Sequence, residues 1–279
     1  DRLLSRGAAG REYAKTVAPT VAVLAHEWLL DEPFRFFDGG IFSLVLAASR
    51  NGEPCVLKLV PPWMSYEQER AALTAWAGNG SPDLLESDPD RRALLLSFIA
   101  PGERFSDIDH ERVTRLAQQI HLDPNRIDSG IVAALPSQEQ AVAQRCATAR
   151  QALLDMPDRG TEAEITVAER RMYDLVSSRP SDRVVHGDFQ VRNILTCERQ
   201  QLVAIDPAWA CIGDPAMDLA MWAVSHGHAV DPFEIAAECA RLYDLDPDRV
   251  RRWTRELAVV ECFMGKSSRV KNLRNWLEA

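Results

Sequence analysis

The sequence has no long apolar run, no large basic cluster and no closely spaced cysteine pair. Apolar stretches such as residues 20–25 and 94–96 fall far short of the ~20 residues that a transmembrane helix needs, so we expect no membrane-spanning segment. Lysine and arginine form only small groups, such as Arg251-Arg252 and residues 266–274. A nucleic-acid partner is therefore not expected.

The six cysteines show no C-x-x-C spacing, which argues against a zinc site. They lie within apolar runs, which indicates buried thiols and a reducing compartment. Residues 1–7 lack the apolar core of a secretory signal. We therefore expect a cytoplasmic protein.

The overall composition is that of an ordinary globular protein, with 46% hydrophobic and 26% charged residues. At about 150 residues per domain, 279 residues indicate two domains or lobes. The net charge of −9 favours a cationic ligand, although the acidic residues are spread evenly along the chain. We expect a monomer or a weak dimer.

The first part of the chain is predicted to be rich in β-structure. Asn51-Gly52 separates two apolar runs, and because both residues accept positive φ angles this pattern predicts an antiparallel hairpin over residues 41–60. Residues 94–99 read as a further strand. Ser65 with Gln68 forms a capping-box pattern that predicts one helix, ending near residue 77.

The second part is predicted to be mostly helical. The division falls at residues 99 and 100, which gives an N-terminal lobe over 1–99 and a C-terminal lobe over 100–279. Helices are predicted from apolar periodicity and capping patterns over 109–121, from Ser137 and from Thr161, and over 218–224, 232–243 and 247–264. Two short β runs, 184–185 and 202–205, interrupt them.

The polar residues beside these two β runs suit phosphoryl transfer from a nucleotide. Asp188 and Asn193 form a D-x-x-x-x-N pattern, and Asp206 directly follows a strand. Such chemistry needs one carboxylate to orient the attacking hydroxyl, and hard oxygen donors to hold Mg²⁺ on the phosphates.

The N-terminal lobe offers a matching cation. Lys58 shares a strand face with Val56 and Val60, where an unpaired ammonium group would be costly. Glu69 lies on the apolar face of the following helix, so we predict that it pairs with Lys58, with Glu67 in reserve.

Several segments together resemble the aminoglycoside phosphotransferase family. They are the His186–Asn193 block, Ile205-Asp206-Pro207 and the Gly213–Ala220 block. Residues 69–80 and 93–102 look like the streptomycin 6-phosphotransferase and hydroxyurea kinase branch. The resemblance implies an α+β, protein-kinase-like bilobal fold and an enzyme that transfers the γ-phosphate of ATP (or GTP), with Mg²⁺, to an antibiotic hydroxyl.

The resemblance also implies roles for particular residues. Asp188 would be the catalytic base, and Asn193 and Asp206 would bind Mg²⁺. The nucleotide would be bound by a larger set, namely Lys58, Glu69, Gly40, Ser43, Ser97, Phe98 and Ile99. Gln190 would contact substrate beside Asp188, and His186 and Asp218 would give structural support.

The chain departs from the kinase pattern at two positions. Residues 38–43 read Asp-Gly-Gly-Ile-Phe-Ser and lack G-x-G-x-x-G, so phosphate contact there depends on Gly40, Ser43 and backbone amides. The second metal-binding block reads Asp-Pro instead of Asp-Phe-Gly, which argues against a protein kinase.

Several alternatives stay open from sequence. A streptomycin-like substrate ranks first and a basic cyclic peptide of the viomycin or capreomycin type second. Choline, homoserine and fructosamine kinases share the expected fold. A metal-dependent phosphoesterase lacks its expected ligand motifs here, and a silent nucleotide-binding module would not need the complete set of Asp188, Asn193, Asp206 and Lys58.

Overall fold

The computed structural model describes residues 7–37, 43–198, 201–226, 230–265 and 267–278. The helices are α1 (Gly7–Glu27), α2 (Tyr66–Trp76), α3 (His110–Ile120), α4 (Ser129–Ala133), α5 (Gln138–Asp155), α6 (Glu162–Ser177), α7 (Ala216–His226), α8 (Pro232–Tyr243), α9 (Pro247–Met264) and α10 (Ser267–Glu278). The strands are β1 (Leu30–Phe36), β2 (Leu44–Arg50), β3 (Glu53–Leu59), β4 (Leu84–Asp88), β5 (Ala93–Ser97), β6 (Pro101–Arg104), β7 (Arg183–Val185), β8 (Ile194–Cys197), β9 (Leu202–Ala204) and β10 (Cys211–Gly213).

The N-terminal lobe is built on an antiparallel five-stranded sheet of order β1-β2-β3-β5-β4. The predicted hairpin is confirmed as β2–β3, and its turn residues Asn51 and Gly52 have φ angles of 56° and 81°. The helical C-terminal lobe follows, so the predicted bilobal α+β architecture is correct. The exact division after residue 99 stays a prediction.

The prediction of a single helix in the N-terminal lobe is wrong, because α1 precedes the sheet. The helix packs on the sheet through Val17, Val21 and Leu24. This spacing of four and three residues is helical, but only Gly10 and Leu24 are fully buried, and Pro19 inside the helix obscures the signal. A further helix, α10, also occupies a stretch that the sequence analysis treated only as a basic tail.

Helix α2 connects the two lobes. Its predicted N-cap is confirmed, since the Ser65 hydroxyl accepts from the backbone N–H of Gln68. The reciprocal half of the capping box is absent, because the Gln68 side chain donates instead to the carbonyl of Ala210, at 2.6 Å. Leu73 packs on the sheet, while Trp76 belongs to the core of the helical lobe. The helix is therefore held from both sides.

The C-terminal lobe is a helical core interrupted by two small sheets. Capping boxes begin α5 and α6 at Ser137 and Thr161 as predicted, and α8 and α9 have the predicted bounds. The small sheets pair β7 with β10 and β6 with β8 and β9. Across the described ranges, no helix is long and apolar enough to span a membrane.

Candidate active site at the junction of the lobes

The loop between β7 and β8 brings the motif residues together. After β7 the chain passes through Asp188, makes a single 3₁₀ turn over Val191–Asn193 and enters β8. Strand β9 returns antiparallel to β8, and the backbone N–H of Ile205 donates to the carbonyl of Asn193 at 2.8 Å. This bond holds Asp206, the next residue, beside the loop.

Asp218, at the start of α7, supports this loop from behind. The carboxylate is completely buried and accepts the backbone N–H groups of His186 at 2.6 Å and Gly187 at 2.9 Å. It also contacts His121 Nε2 at 2.9 Å, and His121 Nδ1 lies 2.8 Å from the hydroxyl of Tyr243. We call these five residues the loop brace.

His186 connects the brace to Asp206 and to α2. Its Nε2 donates to the carbonyl of Ile205 at 3.0 Å, and its Nδ1 accepts from the backbone N–H of Asp188 at 3.3 Å, so the hydrogen-bond pattern assigns the proton to Nε2. The ring stacks on Trp76 with centroids 5.8 Å apart. The His186 side chain therefore fixes the loop relative to both lobes.

The backbone conformation at position 187 and the close approach of Trp209 require a glycine there. Its φ angle is +75°, and a Cβ atom there would lie 1.9 Å from the carbonyl oxygen of Trp209. The carbonyl of Gly187 accepts from Arg145, which also pairs with Glu261 at 3.0 Å. A larger side chain at this position could not keep the loop in place.

Asp188 is buried among hydrogen-bond donors. Its Oδ2 accepts from Asn193 Nδ2 at 2.8 Å and from Arg192 Nη2 at 3.0 Å, and its Oδ1 accepts from Gln190. Burial alone would raise the pKa of Asp188, but Arg192 and Arg145 outweigh burial and hold this pKa below its usual value. The carboxylate is thus ionised and able to orient or accept a proton.

Lys58 lies between two carboxylates from different lobes. Its Nζ donates to Glu69 of α2 and, at 2.6 Å, to Asp206 Oδ1. Burial alone would lower the pKa of Lys58, but Asp206 and Glu69 raise it above its usual value, so the ammonium stays charged. Glu67, the reserve partner, is exposed and pairs with Arg70 at 2.8 Å. We call Lys58, Glu69, Asp206, Asp188 and Arg192 the cleft cluster.

The oxygen atoms of Asn193, in the loop, and Asp206, in the cleft cluster, suit a magnesium ion. Asn193 uses both amide hydrogens on Asp188, which leaves its oxygen as the ligand atom. The Asp206 side chain is 49% exposed, although its neighbour Lys58 is buried. Mg²⁺ takes one or two protein oxygens and completes its shell with phosphate and water. The backbone of Asp206 is left-handed, with φ of 62°, a conformation that aspartate tolerates better than most residues.

The other predicted nucleotide-binding residues lie at or after the end of β5, just before β2, or outside the described ranges. Ser97 ends β5 and exchanges hydrogen bonds with the backbone of Asp83. Phe98 is exposed and stacks on Phe37 at 6.4 Å, and Ile99 is half-buried. Ser43 is half-buried before β2. Gly40 lies outside the described residues, so its predicted phosphate contact stays a prediction.

The side chains that flank the motif residues give little signal in the sequence. Arg145 and Glu261 lie on α5 and α9, far from the loop in sequence, and only packing brings them to Gly187. His121 was counted only as the end of a predicted helix. Arg192 had a visible signal, because a cation four residues after the proposed base can reach back to it. Gln190, predicted to contact substrate, is buried against Asp188.

Three comparisons place this geometry among known proteins. The sequence profile described as "Aminoglycoside/hydroxyurea antibiotic resistance kinase" matches residues 27–264. A hydroxyurea phosphotransferase of Kitasatospora aureofaciens is 29% identical over 265 residues, covering 92% of this chain and 75% of that protein. A streptomycin 6-kinase of Streptomyces griseus is 29% identical over 228 residues, covering 77% of this chain and 69% of that protein.

Solved structures of low sequence identity share the fold. A choline/ethanolamine kinase family protein from Mesorhizobium loti superposes with a TM-score of 0.68 at 16% identity. The match covers 96% of this chain and 95% of that one. The bilobal kinase-like architecture is therefore common to both proteins.

Proposed function

The chain belongs to the aminoglycoside/hydroxyurea antibiotic resistance kinase family, and from that premise we propose that it phosphorylates a hydroxyl group of a small cationic antibiotic, with ATP (or GTP) as the phosphate donor and Mg²⁺ as cofactor. A streptomycin-like aminoglycoside is the first-choice acceptor, since a streptomycin 6-kinase is among the relatives. The cytoplasmic location and the monomeric or weakly dimeric state remain predictions that accompany this proposal.

The observation that carries the proposal is the ion pair between the lobes. Lys58 Nζ and Asp206 Oδ1 are 148 residues apart in sequence and 2.6 Å apart in space. Glu69 completes the cluster on one side, and on the other side Asn193 and Asp188 share the loop that Ile205 joins to Asp206. This grouping of an ammonium, a carboxylate and an amide oxygen beside the ionised Asp188 supports a shared site for a nucleoside triphosphate and an acceptor hydroxyl.

Each of these side chains has a proposed task. Lys58, held by Glu69, binds the α- and β-phosphates, and Asp188 orients the acceptor hydroxyl and takes its proton. Asn193 and Asp206 hold Mg²⁺, which when bound neutralises charge on the phosphates. The peptide between Ser97 and Ile99 contacts the nucleobase. Together these contacts supply positioning and charge stabilisation, which account for most of the catalysis in phosphoryl transfer.

The test is an ADP-release assay with ATP and Mg²⁺ over streptomycin, hydroxyurea, viomycin, capreomycin and choline, with mass spectrometry of each acceptor. We expect streptomycin to gain about 80 Da, the mass of one phosphoryl group. Hydroxyurea, which is uncharged, is a separate second candidate, because the hydroxyurea phosphotransferase matches most of the chain; phosphorylation of hydroxyurea and not of streptomycin would overturn the cationic acceptor. Failure of every acceptor to gain this mass would contradict the proposal.

Variants link that activity to the site. Asp188→Asn is expected to lower kcat by a factor of about 10² or more, the scale for a positioned base. Asp174→Asn is the matched control, because Asp174 is exposed on α6 and lies outside the site. Equal turnover in the two variants would remove Asp188 from its proposed role.

A further inference from the structure

Arg192 is a cation of the cleft that the motif resemblance leaves without a role. It lies in the 3₁₀ turn between Asp188 and Asn193, and its Nη2 donates to Asp188 Oδ2 at 3.0 Å. The Arg192 side chain is 43% exposed, whereas that of Asp188 is 8% exposed. The guanidinium therefore reaches the proposed base from the open side of the cleft.

The neighbouring Arg145 differs from Arg192 in how it is held. Arg145 is buried, pairs with Glu261, donates to the Gly187 carbonyl and lies over the Trp209 ring at 4.9 Å. Arg192 makes one side-chain ion pair within the described residues. Its guanidinium has five N–H donors, so most of them remain available for a ligand. Arg145 is thus fixed in the core, and Arg192 can exchange partners.

The position of Arg192 relative to the reaction follows from distances in the site. A base must lie within about 2.6–3.2 Å of the hydroxyl whose proton it takes, and the attacked phosphorus lies about 3–3.5 Å beyond that hydroxyl oxygen. Because Arg192 Nη2 lies 3.0 Å from Asp188 Oδ2, it is at most about 10 Å from the attacked phosphorus and can reach it by a change of side-chain rotamer. Arg192 is also near enough to Asp206, the proposed metal ligand, for the two charges to attract each other.

Among the described residues of the cleft cluster, Lys58 and Arg192 are the two cations. Lys58 is occupied by two carboxylates, and residues 38–43 lack the G-x-G-x-x-G pattern whose backbone amides would cover the phosphates. The γ-phosphoryl group accumulates charge on its oxygens during transfer, and a guanidinium binds such oxygens in a planar, two-pronged manner. A guanidinium at the position of Arg192 would therefore stabilise the charge on these oxygens.

We propose that Arg192 binds the γ-phosphoryl group of the bound triphosphate and throughout its transfer, and that its pair with Asp188 is the resting arrangement that it leaves when the triphosphate enters. This inference rests on the proposed function. In the step itself, the acceptor oxygen bonds to phosphorus as the bond to the β-phosphate oxygen breaks. The hydroxyl proton passes to Asp188 and ADP leaves, while Arg192 donates hydrogen bonds and gives up no proton.

The test compares Mg²⁺-dependent calorimetric binding of ADP with that of the non-hydrolysable triphosphate AMP-PNP. In Arg192→Ala, AMP-PNP affinity is expected to fall about tenfold with ADP affinity unchanged, because only the triphosphate carries the γ-group. The kcat is expected to fall by roughly 10²–10³, as for other cations on a transferring phosphoryl group. Arg192→Lys, which keeps the charge without the planar fork, is expected to lie between wild type and Arg192→Ala.

Arg115→Ala provides the control. Like Arg192, Arg115 forms an ion pair with a carboxylate four residues earlier in the chain, in this case Glu111 of α3, at 2.9 Å. Both of these side chains are exposed. Arg115→Ala is expected to leave turnover and both affinities unchanged. A melting curve for each variant, with Arg192→Lys as the milder change, separates misfolding from loss of the contact.

Each other result overturns the inference. Equal loss of ADP and AMP-PNP affinity in a folded Arg192→Ala would make Arg192 a support of the loop. Faster turnover of Arg192→Ala with unchanged affinities would show that Arg192 only inhibits Asp188 by occupying its carboxylate. If Asp188→Asn is inactive while Arg192→Ala is fully active, this inference fails and the proposed function stands. If Asp188→Asn is also fully active, the proposed function fails as well.

Discussion

The loop brace and the cleft cluster lie on opposite sides of the same loop. Both contain carboxylates paired with nitrogen donors, but the two regions differ in how far these side chains are exposed to solvent. In the brace, Asp218 is completely buried and His121 is 5% exposed. In the cleft cluster, the side chains of Asp206 and Arg192 are 49% and 43% exposed. A buried carboxylate must keep every donor that it has, whereas a half-exposed one can exchange a donor for water or a ligand.

Because of this difference in exposure, we expect substitutions in the two regions to affect stability and activity to different extents. The brace belongs to one lobe and is surrounded by the helical core, so its loss should affect folding and activity together. The cleft cluster draws Lys58 and Glu69 from one lobe and Asp206, Asp188 and Arg192 from the other. Loss of its half-exposed members, Asp206 and Arg192, should affect nucleotide binding and turnover at little cost in stability.

The largest effect is expected when the acceptor of the brace is removed. Asp218→Ala leaves the N–H groups of His186 and Gly187 and the His121 ring without their buried partner, so we expect a loss of about 3–5 kcal/mol of unfolding free energy. The corresponding fall in Tm is roughly 6–10 °C, measurable by calorimetry. Asp174→Ala, on the exposed face of α6, serves as the control. A native-like Tm in Asp218→Ala would show that the two regions do not differ as argued.

The second effect concerns the carboxylate on the exposed side. Asp206→Asn tolerates the left-handed backbone at φ of 62° but loses the charge for Mg²⁺, so we expect Mg²⁺-dependent nucleotide affinity to fall about 100-fold, roughly 2.7 kcal/mol. The Tm without nucleotide should change by less than about 2 °C. Isothermal titration with and without Mg²⁺ measures the affinity. Unchanged affinity would contradict the metal assignment.

A third, smaller effect separates two glutamates of one helix. Glu69→Gln removes the buried partner of Lys58, and the KM for ATP is expected to rise about tenfold because the ammonium is less firmly held. Glu67→Gln, two positions away and exposed, should leave the KM unchanged. Steady-state kinetics at saturating acceptor would measure both, and a similar rise in both variants would argue against a specific role for Glu69.

The smallest effect is expected at the edge of the brace. Burial raises the pKa of Tyr243 above its usual value of 10.0, so above pH 10 the folded protein keeps a proton that the unfolded chain loses, and stability falls as pH rises. Tyr243→Phe should cost about 1 kcal/mol at neutral pH through the lost contact with His121. It should also flatten the decline above pH 10, as followed by denaturant unfolding at pH 7 to 11. Parallel curves for the two proteins would exclude Tyr243 as a contributor.

The local features of this chain could be read from its sequence because each depends on residues close together. The Asn51-Gly52 hairpin, the N-caps at Ser65, Ser137 and Thr161 and the bounds of α8 and α9 all depend on hydrogen bonds or periodicity within a few residues. The choice of Glu69 over Glu67 for the apolar face of α2 followed from the same helical periodicity.

The tertiary structure decided what lies far apart in sequence. It placed α1 on the sheet, sent the Gln68 side chain to Ala210 and brought Arg145 to Gly187. It also determined which carboxylates are buried, such as Asp218, and which are exposed to solvent, such as Asp206. Sequence patterns report which side chains a short segment presents, but ion pairing and burial depend on how the two lobes pack, and that packing is a sum of many weak contacts across the whole chain.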